Sequence, residues 1–584
     1  MRPGIGGGLS SAVHDNHFFL SAQGRRDPHA ELHATLESFF SQDRLAPWDA
    51  PTQCIFTARY YWLREKLKFD PKQLPELSCP RFQEWYNALA PYALTLIFPA
   101  SFINNPSSTF GHTLLRVDQE GHDDKTRLLE YATNYAAANG DENAIVYAFM
   151  GIFGGYDGFF SVAPYYEKVT QYNDMENRDI WEYALNFSPP EVRLLVRHLW
   201  ELRGIPFPYY YFDDNCSFQL LSLLEVARPS LKLQEQFKTW VIPVDTIRTL
   251  SAEPGLVARV IFRPSAATKL RHRVAHSSDT TQIKAKHLAL GDGTDSTSTN
   301  PRQSAAEQAQ ALDLAYEYLS YQIHKSTSAE TDLQSRSLSL LTQRSKLQVQ
   351  DSVPPVSTPP QRPDQSHASS RLAIGSSYLR DRPTTLFELR PAYHSLLDPE
   401  SGHLPGAQIA FFDSALSLAP NEGLQLEHFT LLNLTSLTPR DRFLRPTSWY
   451  FDSSTALERF SADKTSYVTR LEGGAGATFK LGERSLWYAL GGTSFQTSRS
   501  EDANYAIGAG PRLGAIVFLS DYWATQVQSR SSVYFAGGTH SETSLSLKQR
   551  WTLNLNTSLE FDLSQKWIYG RNDQEVTARV CKFF

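Results

Sequence analysis

The residues with the clearest capacity for chemistry are His112 and Cys216. SFINNPSSTFGHTLLRVD, residues 101–118, holds a turn-prone, small-residue loop (Asn104 to Thr109) that delivers Phe110-Gly111-His112 onto a strand. Gly111 permits close backbone approach beside the histidine. In YYYFDDNCSFQLLSLLE, residues 209–225, Asp213, Asp214 and Asn215 lead into Cys216, and a helix with periodic apolar residues follows. Asn215 or Asp214 suits the N-cap, which places Cys216 in the first helical turn. There the helix dipole and unbonded N–H groups favour a thiolate and can hold an oxyanion. Two preceding carboxylates oppose the thiolate unless they point away. Each residue alone has a plainer reading, a structural histidine and a buried cysteine. Together they fit a thiol–imidazole pair that only the fold can assemble.

Between them lie residues that could complete a site. In LLEYATNYAAA (128–138) a strand carries Asn134, which could orient the imidazole, with Glu130 as its competitor. The Gly- and Tyr-rich stretch 151–185 begins as a loop lining a cleft. Tyr156, Tyr165, Tyr166 and Tyr172 offer flat apolar rings with a hydroxyl at the tip. Tyr156, Tyr165, Tyr166 and Asn215 are the expected substrate contacts; Arg178 and Trp181 read as packing residues.

No metal site is expected, because His112 and His122 fall on different segments and no HExxH or similar spacing occurs. Ser107 or Ser108 with His112 would make a serine hydrolase, but there is no GxSxG elbow. No GxGxxG or P-loop is present, so no cofactor is expected. A net charge of −6 argues against nucleic acid as a partner.

The 584 residues suffice for several domains. Charged residues are 20% and aromatics 12%, too few and too many for a largely disordered chain. The start, MRPGIGGGLSSAVHDNHFF, has no continuous apolar core and does not read as an export signal. Residues 1–28 are expected to be disordered and 29–90 helical. Residues 91–262 mix strands with two helices, PPEVRLLVRHLWEL and NCSFQLLSLLEVA. Residues 263–348 read as a helical connector, and 349–369 as a Pro/Ser-rich linker with too little apolar content to pack. Of four cysteines none forms CxxC; Cys54 and Cys79 could pair in an oxidising compartment or stay as buried thiols.

From Ser370 onward, short segments alternate apolar and polar residues between Gly, Asp, Asn and Pro. Leu545, Leu547, Gln549, Trp551, Leu553 and Leu555 share one face; Glu560 and Asp562 interleave Leu559, Phe561 and Leu563. This period of two marks half-buried strands. About twelve such segments predict a transmembrane β-barrel over 370–584, polar within and apolar outside. Val576, Ala578, Val580, Lys582 and Phe584 share a face of the last strand, which ends in an aromatic residue as outer-membrane barrels do. Tyr450, Trp487, Tyr488, Tyr522, Trp523, Trp551 and Trp567 are candidates for aromatic girdles. A soluble β-sandwich or lipocalin-like barrel is the competing reading. No stretch approaches the ~20 apolar residues of a membrane-spanning helix.

SSTFGHTLLRVD, YATNYAA, GGYDGFFSVAPYYEKVTQYNDMENRDIWEY and YYFDDNCSFQLLSLLE, taken in order, resemble the lipoprotein N-acylation transferase B (Lnb) N-terminal domain family over about 95–230. The resemblance implies a multidomain chain whose α+β, circularly permuted papain-like domain spans 91–262 ahead of the all-β barrel. It implies Cys216 as nucleophile and His112 as base, with Asn134 as the orienting third member. In that family's acyltransferase a thiolate takes the sn-2 acyl chain of a diacylglyceryl lipoprotein and passes it to an N-terminal amine. The implied partners are outer-membrane lipid and a lipoprotein or phospholipid acyl donor, with the catalytic domain in the periplasm. Here the domain precedes a barrel rather than membrane helices, so acceptor and donor stay open. A papain-like cell-wall peptidase or amidase, and a non-enzymatic barrel protein with a lipid-binding periplasmic domain, are the alternatives.

Overall fold

The computed structural model describes every residue except 1, 4–8, 42, 102–110, 122, 124–125, 139–149, 153, 292–303, 326–330, 381, 421–422, 462–463, 483 and 501–502. The chain divides into two compact units, Met1–Thr358 and Pro359–Phe584.

In the first unit, helices α1 (Pro28–Ser38), α2 (Thr57–Leu67) and α3 (Pro80–Leu89) come first. A Cys54–Cys79 disulfide ties the start of α3 to the short helix before α2. The segment expected to be disordered packs here. Arg59 lies 4.7 Å over the Phe18 ring, and Glu31 accepts from the N–H groups of Leu20 and Ser21. A single aromatic seated on a guanidinium and a carboxylate bonded to two backbone N–H groups fix a stretch whose composition has little apolar content.

Seven antiparallel strands follow: β1 (Ala93–Pro99), β2 (Leu114–Asp118), β3 (Tyr131–Ala137), β4 (Tyr156–Pro164), β5 (Ile180–Leu185), β6 (Phe207–Tyr209) and β7 (Val257–Arg263). They form one sheet in the order β6-β4-β3-β2-β1-β5-β7. Among the described residues, a short helix, Tyr165–Val169, follows β4, and three longer ones lie between later strands: α4 (Pro189–Glu201), α5 (Cys216–Ala227) and α6 (Pro243–Ala252). α4 starts on a capping box, with Ser188 and Glu191 satisfying each other's end of the turn and proline at the first helical position. α5 is buried on almost every side, as its all-round apolar sequence requires, and packs against β2 and β3. Ile97, Leu114, Ala132, Val169, Tyr172 and Ile180 pack as one core cluster. Four further helices, α7 (Ala266–Ala275), α8 (Asp279–Leu290), α9 (Ala305–Lys325) and α10 (Thr331–Ser345), complete the unit.

The segment expected to be a loose linker also packs. Asp351 pairs with Arg273, and Pro354 O accepts from His272. Farther on, Pro363, Ser366 and His367 are buried in the second unit. Composition alone underrates such a segment, because its prolines supply extended backbone and its polar side chains find partners supplied by other elements.

The second unit is a closed antiparallel barrel of twelve strands: β8 (Arg371–Leu379), β9 (Arg382–Arg390), β10 (Ala407–Ala419), β11 (Gly423–Ser436), β12 (Ser448–Ser461), β13 (Lys464–Lys480), β14 (Leu486–Thr497), β15 (Tyr505–Phe518), β16 (Trp523–Gly537), β17 (His540–Asn554), β18 (Thr557–Ile568) and β19 (Arg571–Phe583). Each pairs with the next, and β8 closes on β19 with Arg371 opposite Phe583. A short strand, Ala392–His394, continues β9 past Pro391 along β10. Outward positions are apolar and exposed, among them Leu372, Ile374, Leu471, Leu513, Phe535 and Leu545. Inward positions carry ion-pair ladders, such as Arg470 with Glu458 (2.5 Å) and Glu542 (3.1 Å), and Arg371 with Glu388 (3.0 Å) and Glu560 (3.2 Å). A cavity of about 470 Å³ remains between them. Trp487, Tyr522, Trp523, Trp551 and Trp567 face outward as girdle residues must. Tyr450 and Tyr488 do not: both are buried, with Arg512 3.7 Å over the Tyr450 ring and the Tyr488 hydroxyl donating to Gln528. Neighbours on a strand face opposite ways, so Trp487 and Tyr488 cannot share the outer surface.

Candidate active site

His112 lies just ahead of β2, and its N–H bonds to the carbonyl of Pro99 on β1 (3.4 Å). Gly111 makes this approach possible. It has φ +94°, and a Cβ there would stand 2.5 Å from the Phe98 ring. The loop from Asn104 to Phe110, with Ser107 and Ser108, and likewise His122, lie outside the described residues.

Asn134, in the middle of β3, faces the same side of the sheet. His112 Nε2 and Asn134 Oδ1 are 2.7 Å apart, both residues being buried. The amide oxygen accepts, so Nε2 carries the proton and Nδ1 keeps its lone pair for base chemistry. Asn134, not Glu130, is the hydrogen-bond partner of the imidazole. Burial first, then the guanidinium of Arg178, push the His112 imidazolium down to about 3. The ring is therefore neutral at physiological pH, the form a base requires.

Cys216 opens α5. Its N-cap is Asn215, whose Oδ1 accepts from the N–H of Ser217 and of Phe218 (3.2 Å each). The Asn215 amide nitrogen donates to Tyr211 O (3.0 Å) and Val241 O (2.7 Å). With its side chain spent on these bonds and buried, Asn215 shapes the start of α5 instead of facing a cleft. Burial pushes the Cys216 thiol up; the N–H and hydroxyl of Thr113, and the N–H groups at the helix start, pull the other way. Thr113 follows His112 directly, so the strand that carries the imidazole also brings donors to the sulfur. Thiol and imidazole are thus both neutral at rest. The cap takes the Ser217 and Phe218 N–H groups.

Tyr172 and Arg178 frame the pair. The Tyr172 ring lies 5.8 Å from the His112 ring, and Arg178 sits 4.9 Å over Tyr172. Arg178 is buried, donates to the carbonyls of Ala100 (2.6 Å) and Pro99 (2.8 Å) and pairs with Glu176. Its structural role, expected from sequence, thus has an electrostatic consequence for the imidazole. Trp181 packs on Phe262 (4.9 Å).

The expected tyrosine contacts separate. Tyr156 is buried on β4, opposite Tyr209 of β6. Tyr165 is fully buried and its hydroxyl donates to Glu182 (3.1 Å), within an ion cluster that also holds Arg116, Arg127 and Arg263. Tyr166 is half exposed and bonds only to Glu167 among the described contacts. Consecutive aromatic residues at a strand-to-helix junction point different ways, which composition cannot resolve. Thr113 was missed by the sequence reading. Its signal was adjacency to the histidine, since a residue beside a base at a strand start can also reach the nucleophile.

Residues 81–253 match the family model of the Lnb N-terminal periplasmic domain. Three further models, each of a domain of unknown function, match residues 3–66, 260–356 and 360–583. No curated protein matches the chain. Among solved structures, the barrel is similar to the KdgM porin in complex with disordered oligogalacturonate (6% identity over 37% of this chain and 99% of that one, TM-score 0.22). It is similar also to Omp33 of Acinetobacter baumannii (8%, 37% and 99%, TM-score 0.21) and to an outer membrane channel from Pseudomonas putida F1 (10%, 39% and 100%, TM-score 0.23). The closure of the barrel and its apolar exterior stand on their own geometry. The chain is an outer-membrane barrel protein whose residues 81–253 match the model of the Lnb N-terminal periplasmic domain.

Proposed function

We propose that the periplasmic domain is a cysteine-dependent acyl-transfer enzyme, acting on a lipoprotein or phospholipid acyl ester. The observation that carries this reading is the bond between His112 Nε2–H and Asn134 Oδ1, with the next residue, Thr113, close enough to the buried Cys216 thiol to favour its thiolate. His112 Nδ1 takes the thiol proton as Cys216 Sγ attacks the ester carbonyl carbon. The carbonyl oxygen becomes an oxyanion held by the N–H groups of Cys216 and Thr113. Collapse breaks the C–O bond, and the imidazolium returns its proton to the leaving alcohol oxygen. An amine or water then attacks the thioester, losing its proton to His112, and Cys216 leaves as the thiol with that proton. Asn134 holds the ring in the one tautomer that serves both steps. A substrate chain enters along aromatic surface, for which the half-exposed ring of Tyr166 and the Tyr156 side of the sheet are the candidates.

The test is the intact mass of the full chain after incubation with diacylated lipoprotein or with phospholipid. The wild type should gain a hydroxylamine-sensitive acyl mass. Cys216→Ala should lose it, with turnover down at least about 10⁴-fold and the barrel still folded by its heat-dependent gel mobility. Release of fragments from cell-wall peptide, with no acyl adduct from any lipid, would replace this reading by a peptidase.

A further inference from the structure

We propose that His367, His394 and His403 form a binding site for a divalent first-row transition metal at the barrel end where the chain enters β8. The three histidines come from three separate segments: the stretch leading into β8, the short strand that continues β9, and the loop that follows it. Each offers a ring nitrogen, and these nitrogens all lie within 4.8 Å of one another. His367 and His394 are buried and His403 is partly so.

The hydrogen bonding already orients a ligand. His367 Nδ1 lies 2.8 Å from the carbonyl of Ala368 and must be its N–H donor. That leaves the Nε2 lone pair facing inward, and Nε2 is 2.9 Å from His394 Nδ1. A backbone carbonyl that fixes the far nitrogen is the usual outer partner of a metal-bound imidazole. Nitrogens bound tetrahedrally at ~2.0–2.1 Å stand about 3.3 Å apart. The His367–His394 pair would therefore open by only a few tenths of an ångström, with the shared proton moving to the far side of His394. The His403 ring lies stacked on His394 at 4.0 Å, so to aim its in-plane lone pair at the same point it must turn out of that stack, a movement its position on a loop allows.

The donor set also selects the metal class. Three imidazoles without a thiolate suit zinc, copper or nickel better than magnesium or calcium, which prefer oxygen. The neighbouring carboxylate, Asp398, is engaged by Arg390 and by the Ser395 N–H. Both of these contacts use Oδ2, while Oδ1 is buried and accepts no hydrogen bond among the described residues; the carboxylate supplies negative charge beside the site, and the fourth ligand would be water or this oxygen. A bound metal would clamp the segment entering β8 to the loop holding His403.

The test uses the full chain in detergent, stripped with a chelator and dialysed. Zn²⁺ should bind at one equivalent, and Co²⁺ should give the strong visible absorption of a tetrahedral site. His403→Ala sits outside the strands. It should weaken Zn²⁺ binding on the order of 100-fold and abolish the Co²⁺ band, with barrel folding checked by heat-dependent gel mobility. His394→Gln should do the same, whereas His33→Ala, at an exposed helix position, should change nothing. Absence of stoichiometric Zn²⁺, or binding indifferent to His403→Ala and His394→Gln, would overturn the site and leave the three rings as a packing stack with Phe583.

Discussion

The two units bury polar groups in opposite surroundings. The periplasmic domain packs apolar side chains inside, and its buried polar groups are either neutral, as His112 and Cys216 are, or paired, as Glu182 is with Arg116, Arg127 and Arg263. The barrel turns its apolar residues outward and fills its interior with Arg, Lys and Glu ladders. A water-facing fold and a lipid-facing fold place the same residue types on opposite sides. In both, a buried charge is tolerated because partners surround it. His112 and Cys216 differ from these clusters in that burial, the largest influence on each, keeps them neutral.

This contrast can be broken or sharpened by substitution. The largest effects fall on the ion clusters. Glu182→Gln leaves three guanidiniums facing one another and should destabilise the periplasmic domain by about 3–5 kcal/mol. Glu542→Gln should do similar harm to the barrel, where it meets Arg470 and Arg530. Urea unfolding followed by tryptophan fluorescence for the domain, and by heat-dependent gel mobility for the barrel, should show each variant weakening its own unit. If either change weakened both equally, the two clusters would not be independent.

The outer surface is the next test. Leu513→Arg places a charge near the middle of β15 on the apolar face and should cost about 2–4 kcal/mol in lipid vesicles. Reversible unfolding from vesicles measures it, and a neutral outcome would argue against a lipid-facing exterior.

A smaller effect follows from the neutral histidine. Its folded value near 3 lies below the ordinary 6.5, so the unfolded chain binds the extra proton more readily. The stability this contributes is complete above pH 6.5 and lost as pH falls toward 3, at up to about 1.4 kcal/mol per unit. His112→Gln should flatten the domain's stability curve in that window. Parallel curves for variant and wild type would place the acid sensitivity elsewhere. The same depressed value predicts that acyl-adduct formation persists below pH 6.5, where an ordinary histidine base would be protonated.

Least of all, Ser188→Ala removes the capping box of α4 and should cost about 1 kcal/mol. Thermal unfolding of the periplasmic domain reads it, while the barrel's gel mobility stays unchanged.

Local pattern decided much of this molecule. Alternation along β17 and β18 specified which faces meet lipid, because the side-chain period of a strand is fixed by its backbone. Asn215 before Cys216 specified a helix start, because a short polar side chain satisfies the first N–H groups. GlyHis at a strand start marked the imidazole. Tertiary structure decided what local pattern cannot hold. It chose Asn134 over Glu130 for His112, brought Thr113 to the sulfur, and enclosed Tyr165 with Glu182 while leaving Tyr166 half exposed. It turned Tyr450 and Tyr488 inward, joined Cys54 to Cys79, seated the proline-rich segment, and gathered three histidines that share no sequence spacing. Each of these depends on pairings between distant segments, and such pairings follow from packing and closure rather than from the period of any one stretch.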